Sequence, residues 1–321
     1  MARLLKTLAL TLISVTLYAN GLVGWLNRGP VPVPLVTGGV PASYTPVVLT
    51  PSGVQVFANT NGKQDGDFWV ASGSWGKLGP FSKAFAASNI KDFKQPFIRT
   101  TAVAAGASTC YAIWHVGGTT YQPAFATARR VGGACGSWTY HGRVSIQGLS
   151  AIDGNGENLI ISEGAGAALD ATNPLNNRFL MYEDTVCFDG QTNFDNVTGC
   201  PHIAILMSAD GTTWVPYRDS LGVVVDFCPD PALCSHSWWP AAARTFSGVH
   251  VLAVPNWPNA YMFHLYSCDG IHATVLEASS DVADAQSEKG TNLVWEPGAL
   301  LLHALSNGVH WTSSEQAYPC N

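Results

Sequence analysis

Charge is what this sequence has least of: only 12% of its 321 residues are Asp, Glu, Lys or Arg, and 16 basic residues stand against 22 acidic ones for a net charge of −6. The basic residues are scattered, so no basic face can be assembled to count phosphates, and nucleic acid is excluded as a partner. The histidines form no His-x-x-x-His or His-x-His pair and no Gly-x-Ser-x-Gly elbow occurs, which leaves zinc hydrolysis and serine esterase chemistry without support. Past residue 30 no apolar run is long enough to span a bilayer. Helical periodicity is equally scarce, and the stretch FSKAFAASNIKDF from Phe81 to Phe93 is the one segment that predicts a helix.

What is present points to strands. Hydrophobic residues make up 47% of the chain, with 32 Gly, 19 Pro and 11 Trp, enough apolar material for a core and enough turn formers to interrupt it often. Many short strands in an all-β fold of one domain are expected. At the N-terminus Arg3 and Lys6 precede an apolar run from Leu8 to Tyr18 and a small-x-small site at Ala19-Asn20-Gly21, the pattern of a signal peptide over residues 1–21. Apolar residues continue through Leu22 to Leu26, so an uncleaved anchor is the competing reading. Residues 22–52, with prolines spaced against any helix, read as a linker or strap, and 53–321 as the folded domain.

All eight cysteines lie after residue 21, an even number suited to an oxidising compartment outside the cytoplasm, whether secreted, periplasmic or at the cell surface. Proximity along the chain suggests Cys110 with Cys135, Cys187 with Cys200 and Cys228 with Cys234, leaving Cys268 for Cys320. A zinc site from Cys228, Cys234 and His236 is the alternative, but it lacks the paired short spacings of zinc modules.

Apolar runs at 97–104, 111–115, 158–162, 178–182, 202–207, 249–254, 261–266 and 299–305 are bounded by Gly, Pro, Asn or Asp and predict strands. Several are followed by one kind of turn. Ser208-Ala-Asp210-Gly211-Thr-Thr213-Trp214, Ser267-Cys-Asp269-Gly270-Ile-His-Ala273 and Ser306-Asn307-Gly308-Val-His-Trp311 are three copies, and Gly117-Gly118-Thr-Thr-Tyr121 is a weaker fourth. Adjacent Asp-Gly or Asn-Gly predicts a tight hairpin with positive φ at both central residues, and recurrence predicts a repeat architecture. These segments resemble a shortened form of the Asp-box, Ser-x-Asp-x-Gly-x-Thr-Trp, of sialidase-like β-propellers. The resemblance implies a propeller of about six blades, with five to seven as the range and a β-sandwich as the alternative fold.

It also implies where function lies: on the axis, where inner strands converge, and not at the turns themselves. Sialidases clamp a substrate carboxylate with three arginines, and Arg99, Arg178 and Arg244 each open or enter an apolar strand in the matching order. Glu163 stands where those enzymes place the glutamate that activates a nucleophilic tyrosine, for which Tyr261 and Tyr318 are both candidates. Read from the residues alone, Glu183 beside Asp184, together with Asp226 and Glu296, interrupts apolar runs, where an ionisable group must be paired or functional. Asp153, Asn155 and Glu157 alternate with glycines in a spacing that suits either calcium or a plain hairpin. No other cofactor is called for. Asn196-Val-Thr198 is a glycosylation acceptor, and Trp238, Trp239 and Trp257 are aromatics that either stack on sugars or fill the core. The expected partner is a glycan or glycoconjugate, met either by a glycoside hydrolase acting on an acidic sugar or by a lectin-like propeller without turnover.

Overall fold

In a computed structural model the chain is almost entirely β-structure. The structure describes residues 25–36, 42–43, 46–60, 66–94, 96–117, 121–147, 167–170, 179–184, 202–228, 230, 240–244, 247–256, 261–279, 291–306, 308–314, 318 and 320. The signal-peptide segment, the strand expected at 158–162, the calcium loop and the acceptor Asn196 lie outside them.

The strands are β1 (Leu26–Pro30), β2 (Ala42–Ser43), β3 (Val47–Thr50), β4 (Gly53–Thr60), β5 (Phe68–Ser74), β6 (Lys77–Leu78), β7 (Ser82–Phe85), β8 (Phe97–Ala105), β9 (Thr109–Gly117), β10 (Tyr121–Val131), β11 (Ala134–Arg143) and β12 (Ser145–Ile146). They continue as β13 (Ala167–Asp170), β14 (Phe179–Asp184), β15 (Ile203–Ser208), β16 (Thr213–Pro216), β17 (Ala241–Arg244), β18 (His250–Asn256), β19 (Tyr261–Ser267), β20 (Thr274–Ser279), β21 (Thr291–Glu296), β22 (Leu301–Ser306) and β23 (Val309–Ser314).

They form five sheets, the blades of a five-bladed β-propeller. Blade 1 is built on β4 and β5, with β2 and β3 along its inner edge and β6 and β7 on the outer one. Blade 2 runs β8 to β11 outward, blade 3 runs β13 to β16 with β12 added parallel to β16, and blade 4 runs β17 to β20. In blade 5, β21, β22 and β23 are completed by β1 from the other end of the chain. The inner strands β3, β8, β13, β17 and β21 neighbour one another in a closed ring.

The burial pattern explains the closure. Each sheet is apolar on both faces, and the buried residues fall into five clusters, one between each pair of neighbouring blades. Between blades 1 and 2, Phe57 and Phe68 stack at 5.2 Å with Trp114 and Trp138 edge-on to Phe68. Polar cross-links reinforce this seam: Gln55 exchanges two hydrogen bonds with the backbone of Cys135, and Arg130 donates to the carbonyls of Leu49, Gly106 and Gly133. Between blades 5 and 1, valines from β3 and β4 meet Leu305.

Two expectations from sequence need correction. The stretch expected to be helical, 81–93, gives β7 and a single 3₁₀ turn at Ala87–Asn89. Edge pairing with β5 captures Ser82–Phe85; the Asp67 carboxylate accepts the Ala87 N–H at the start of the turn, and the backbone returns to extended geometry at Ile90, which ends it after a single turn. The proline-rich stretch 22–52 supplies β1, β2 and β3 and is part of the propeller. Pro30 is tolerated because β1 is the outermost strand of its blade. The blade number is five, within the expected range of five to seven and one below its centre.

The recurrent turns are not all equivalent either. Those around Asp210 and Asp269 join third to fourth strands of their blades, whereas those near Gly118 and Gly308 join second to third. Nor are the first two tight two-residue turns, since only Gly211 and Gly270 have positive φ, at 83° and 80°. Asp210 Oδ1 instead accepts the N–H groups of Thr212 and Thr213 at 2.7 and 2.8 Å, and Ser208 Oγ accepts that of Gly211 at 2.7 Å. Asp269 and Ser267 repeat the arrangement with Ile271, His272 and Gly270. The carboxylate wraps the backbone locally, which keeps the Asp itself at negative φ. The turn with two positive-φ residues is Gly132-Gly133, between β10 and β11.

Cys110–Cys135 is a disulfide, as proximity along the chain suggested, and so is Cys268–Cys320, the pair expected as the remainder. Cys228 is also disulfide-bonded, which argues against the zinc reading, while Cys187, Cys200 and Cys234 lie outside the described residues.

Candidate axial site

The inner strands converge on a cavity of about 510 Å³, a size suited to a sugar or a short glycan. Its described wall is made by four of the inner strands: all of β3 with Pro51 after it, Val103 to Ala105 of β8, Ala242 to Arg244 of β17, and Leu293 to Glu296 of β21 with Pro297 after it. Most of this wall is apolar. Three charged side chains reach it: Arg130, Arg244 and Glu296. The guanidinium of Arg130 is committed to its three carbonyls and works as a brace.

Glu296 is different. It ends β21, its side chain is 44% exposed, and its Oε2 lies 2.8 Å from His303 Nε2. His303 Nδ1 lies 2.8 Å from His310 Nε2, and Trp75 stacks on the His310 ring at 3.9 Å between centroids. Burial pushes both imidazoles below the usual histidine value, His310 to about 4, so the pair is neutral at pH 7.

The second buried carboxylate, Glu183, is fully enclosed on β14, with Oε1 3.2 Å from His115 Nε2 of β9. Its Oε2 is buried and has no hydrogen-bond partner among the described residues. Burial raises its pKa from the ordinary 4.5, against the opposing pull of His115. The protonated form is therefore favoured by folding, and its stabilising contribution is complete below the ordinary carboxylate value and is lost as pH rises through the raised one. Glu183→Gln should flatten that alkaline-side decline in thermal midpoint, measured from pH 4 to 9. Parallel pH profiles for the two proteins would show that Glu183 does not titrate as its burial implies.

The other residues singled out from sequence fall as follows. Arg99 is the third residue of β8, opposite His115 across the ladder, whereas the cavity is lined by Val103 to Ala105 of the same strand. Four residues of strand, about 13 Å, separate the two levels. Arg244 ends β17 and does line the cavity, so the described backbone places Arg99 and Arg244 at different levels of the axis. Arg178, Glu163, Asp153, Asn155 and Glu157 lie outside the described residues. Tyr261 opens β19, the third strand of blade 4, and Tyr318 is a core residue near Tyr266 whose burial raises its pKa. Asp226 accepts the N–H groups of His202, Ile203 and Cys228, a structural tie. His303, His310 and Trp75 carried no motif. The only signal was a histidine inside the apolar strand LLHALS.

With this geometry the comparison with solved structures is informative. A structure from the GH130 family of mannoside phosphorylases, which contains glycoside hydrolases that target β-1,2 mannosidic linkages in Candida mannan, is 14% identical with a TM-score of 0.57. That match covers 91% of this chain and 94% of the other. A glycosyl hydrolase from Bacteroides ovatus is 14% identical at a TM-score of 0.53, covering 87% and 85%. The GH43_1 enzyme from Xanthomonas citri, complexed with xylose, is 10% identical at 0.53, covering 89% of each chain. The shared feature is the fold. No protein-family model matches the sequence, and no curated protein matches it either. At these identities the propeller is common ground, while site residues have to be argued from this chain alone.

Proposed function

We propose that this chain is an exported, glycan-active β-propeller that takes a saccharide into its axial cavity, and that it belongs functionally with glycoside hydrolases. The observation that carries the reading is the cavity itself: a sugar-sized space on the axis of a fold shared with glycoside hydrolases, with Glu296 presented to it. Disulfides Cys110–Cys135 and Cys268–Cys320 support the exported half of the reading.

Glycoside hydrolysis needs two carboxyl groups flanking the bond, one of them a general acid with a raised pKa. Among the described residues Glu296 is the carboxylate on the cavity; Glu163, proposed from the sequence as a catalytic glutamate, lies outside them. Glu183 is too deeply buried behind His115 to touch a ligand as it stands. Arg244 offers a planar fork to a sugar carboxylate, which keeps an acidic sugar in view. A binding propeller without turnover is the second reading, favoured by one observation: among the described residues a single carboxylate lines the cavity.

One sample separates the two. The purified protein is screened against chromogenic glycosides, neutral and acidic, and against a glycan array. Release of chromophore supports the hydrolase, array binding without release supports the binding propeller, and silence in both would defeat the glycan reading.

A further inference from the structure

The hydrogen bonds around Glu296 step across a whole blade. Val294 of β21 pairs with His303 of β22, and Glu296 lies two residues on along the same face, so its carboxylate reaches His303 diagonally. His310 of β23 pairs with Leu305, two residues from His303, and makes the next diagonal step. Three side chains on three neighbouring strands thus form one chain that begins at the axial cavity and ends in the seam with blade 1. There Trp75 lies parallel to both rings, at interplanar angles of 4° and 7°.

The donor and acceptor roles follow from the chemistry of the groups. An ionised carboxylate only accepts, so His303 Nε2 must carry the proton it donates to Glu296. A neutral imidazole has one N–H, so His303 Nδ1 can only accept, and the proton between the rings belongs to His310 Nε2. Each link fixes the next. Removing the carboxylate of Glu296 would free His303 to carry its proton on either nitrogen, and the direction of the bond to His310 would lose its anchor.

We infer that His303 and His310 are positioning residues that hold Glu296 as an ionised hydrogen-bond acceptor toward the hydroxyl groups of a saccharide in the axial cavity. The inference rests on the glycan reading for its ligand and on the hydrogen-bond chain for its geometry, and it assigns Glu296 the role of acceptor or base rather than acid. Trp75 supports the pair by stacking, which leaves the rings little freedom to rotate.

The test uses the whole chain. Nitrogen-resolved NMR of the imidazoles at pH 7 should find His303 and His310 both neutral and both protonated at Nε2. In Glu296→Gln, whose amide can donate as well as accept, His303 should lose its single tautomer, whereas His310→Phe, which keeps a ring against Trp75, should leave it protonated at Nε2. Binding is then followed with xylose, β-1,2-mannobiose and a mixed panel of neutral and acidic oligosaccharides as probes. Glu296→Gln and His310→Phe should each weaken whichever probe binds on the order of tenfold, with unchanged thermal midpoints on the scale of the Trp214 variant below. A His303 protonated at Nδ1, or a tautomer unchanged in Glu296→Gln, would overturn the relay whatever binds. Undiminished binding in Glu296→Gln would remove Glu296 from the site. If no probe binds the unaltered protein, the glycan reading fails with its ligand, and the NMR result still decides the relay.

Discussion

Trp214→Ala is expected to lower stability by about 3–5 kcal/mol, the cost of truncating a fully buried tryptophan. The indole is inaccessible to solvent, packs in the layer between blades 2 and 3 with Phe179 and Phe125, and donates its Nε1–H to Gly211 O at 2.8 Å. That bond closes the Asp210 turn onto the strand that follows it. The loss is therefore of packing and of the turn's anchor together. Gly211 adds to the constraint: its φ is 83°, and a side chain there would come within 2.3 Å of the Phe125 ring, so the turn cannot slide to relieve the cavity. Chemical denaturation of the variant checks the value. A loss below ~1 kcal/mol would mean that the indole is not the packing element it is in this structure. Ligand affinity at the axis should change far less, because the residue lies on the outer strand β16.

Removing the Cys268–Cys320 disulfide should cost about 4 kcal/mol, since it closes a loop with a sequence separation of 52 in the unfolded chain. It joins the Asp269 turn of blade 4 to the segment beyond β23, where Tyr318 is buried against blade 4. The Cys110–Cys135 bond stays within blade 2, spans 25 residues and should cost somewhat less on the same grounds. Paired Cys→Ser variants compared by denaturant unfolding provide the measurement. Equal midpoints for the Cys268/Cys320 variant and the unaltered protein would show that β1 and β23 close the ring without covalent help.

Much of the architecture was legible because strands of this kind announce themselves. The apolar runs at 97–104, 202–207 and 261–266 become β8, β15 and β19 nearly residue for residue, since a strand buried on both faces needs continuous apolar side chains and stops at Gly, Asp or Asn. Strands that alternate small and polar residues, such as β11 with ACGSWTYHGR, went unread, because one of their faces is exposed at the edge of a blade. Blade number was illegible for a related reason: turns that look alike in sequence join different strand pairs, so counting them does not count blades. Glu296 stood out as a carboxylate in an apolar run, but its histidine partners did not. They come from two further strands, and nothing in local spacing marks a diagonal contact across a sheet.

The sequence by itself determined the all-β class, the disulfide Cys110–Cys135 between cysteines adjacent in the series, and the Asp-centred turns, because each depends on residues close along the chain or on composition; Cys268–Cys320 followed from it only as the pair left over. Only the tertiary structure decided that the ring closes at five blades, that residues 26–30 complete the last of them, and that Glu296, His303, His310 and Trp75 meet beside the axial cavity. Those outcomes depend on which sheet faces pack together and on where the chain's two ends meet, and such contacts join residues too distant in sequence for any local pattern to encode.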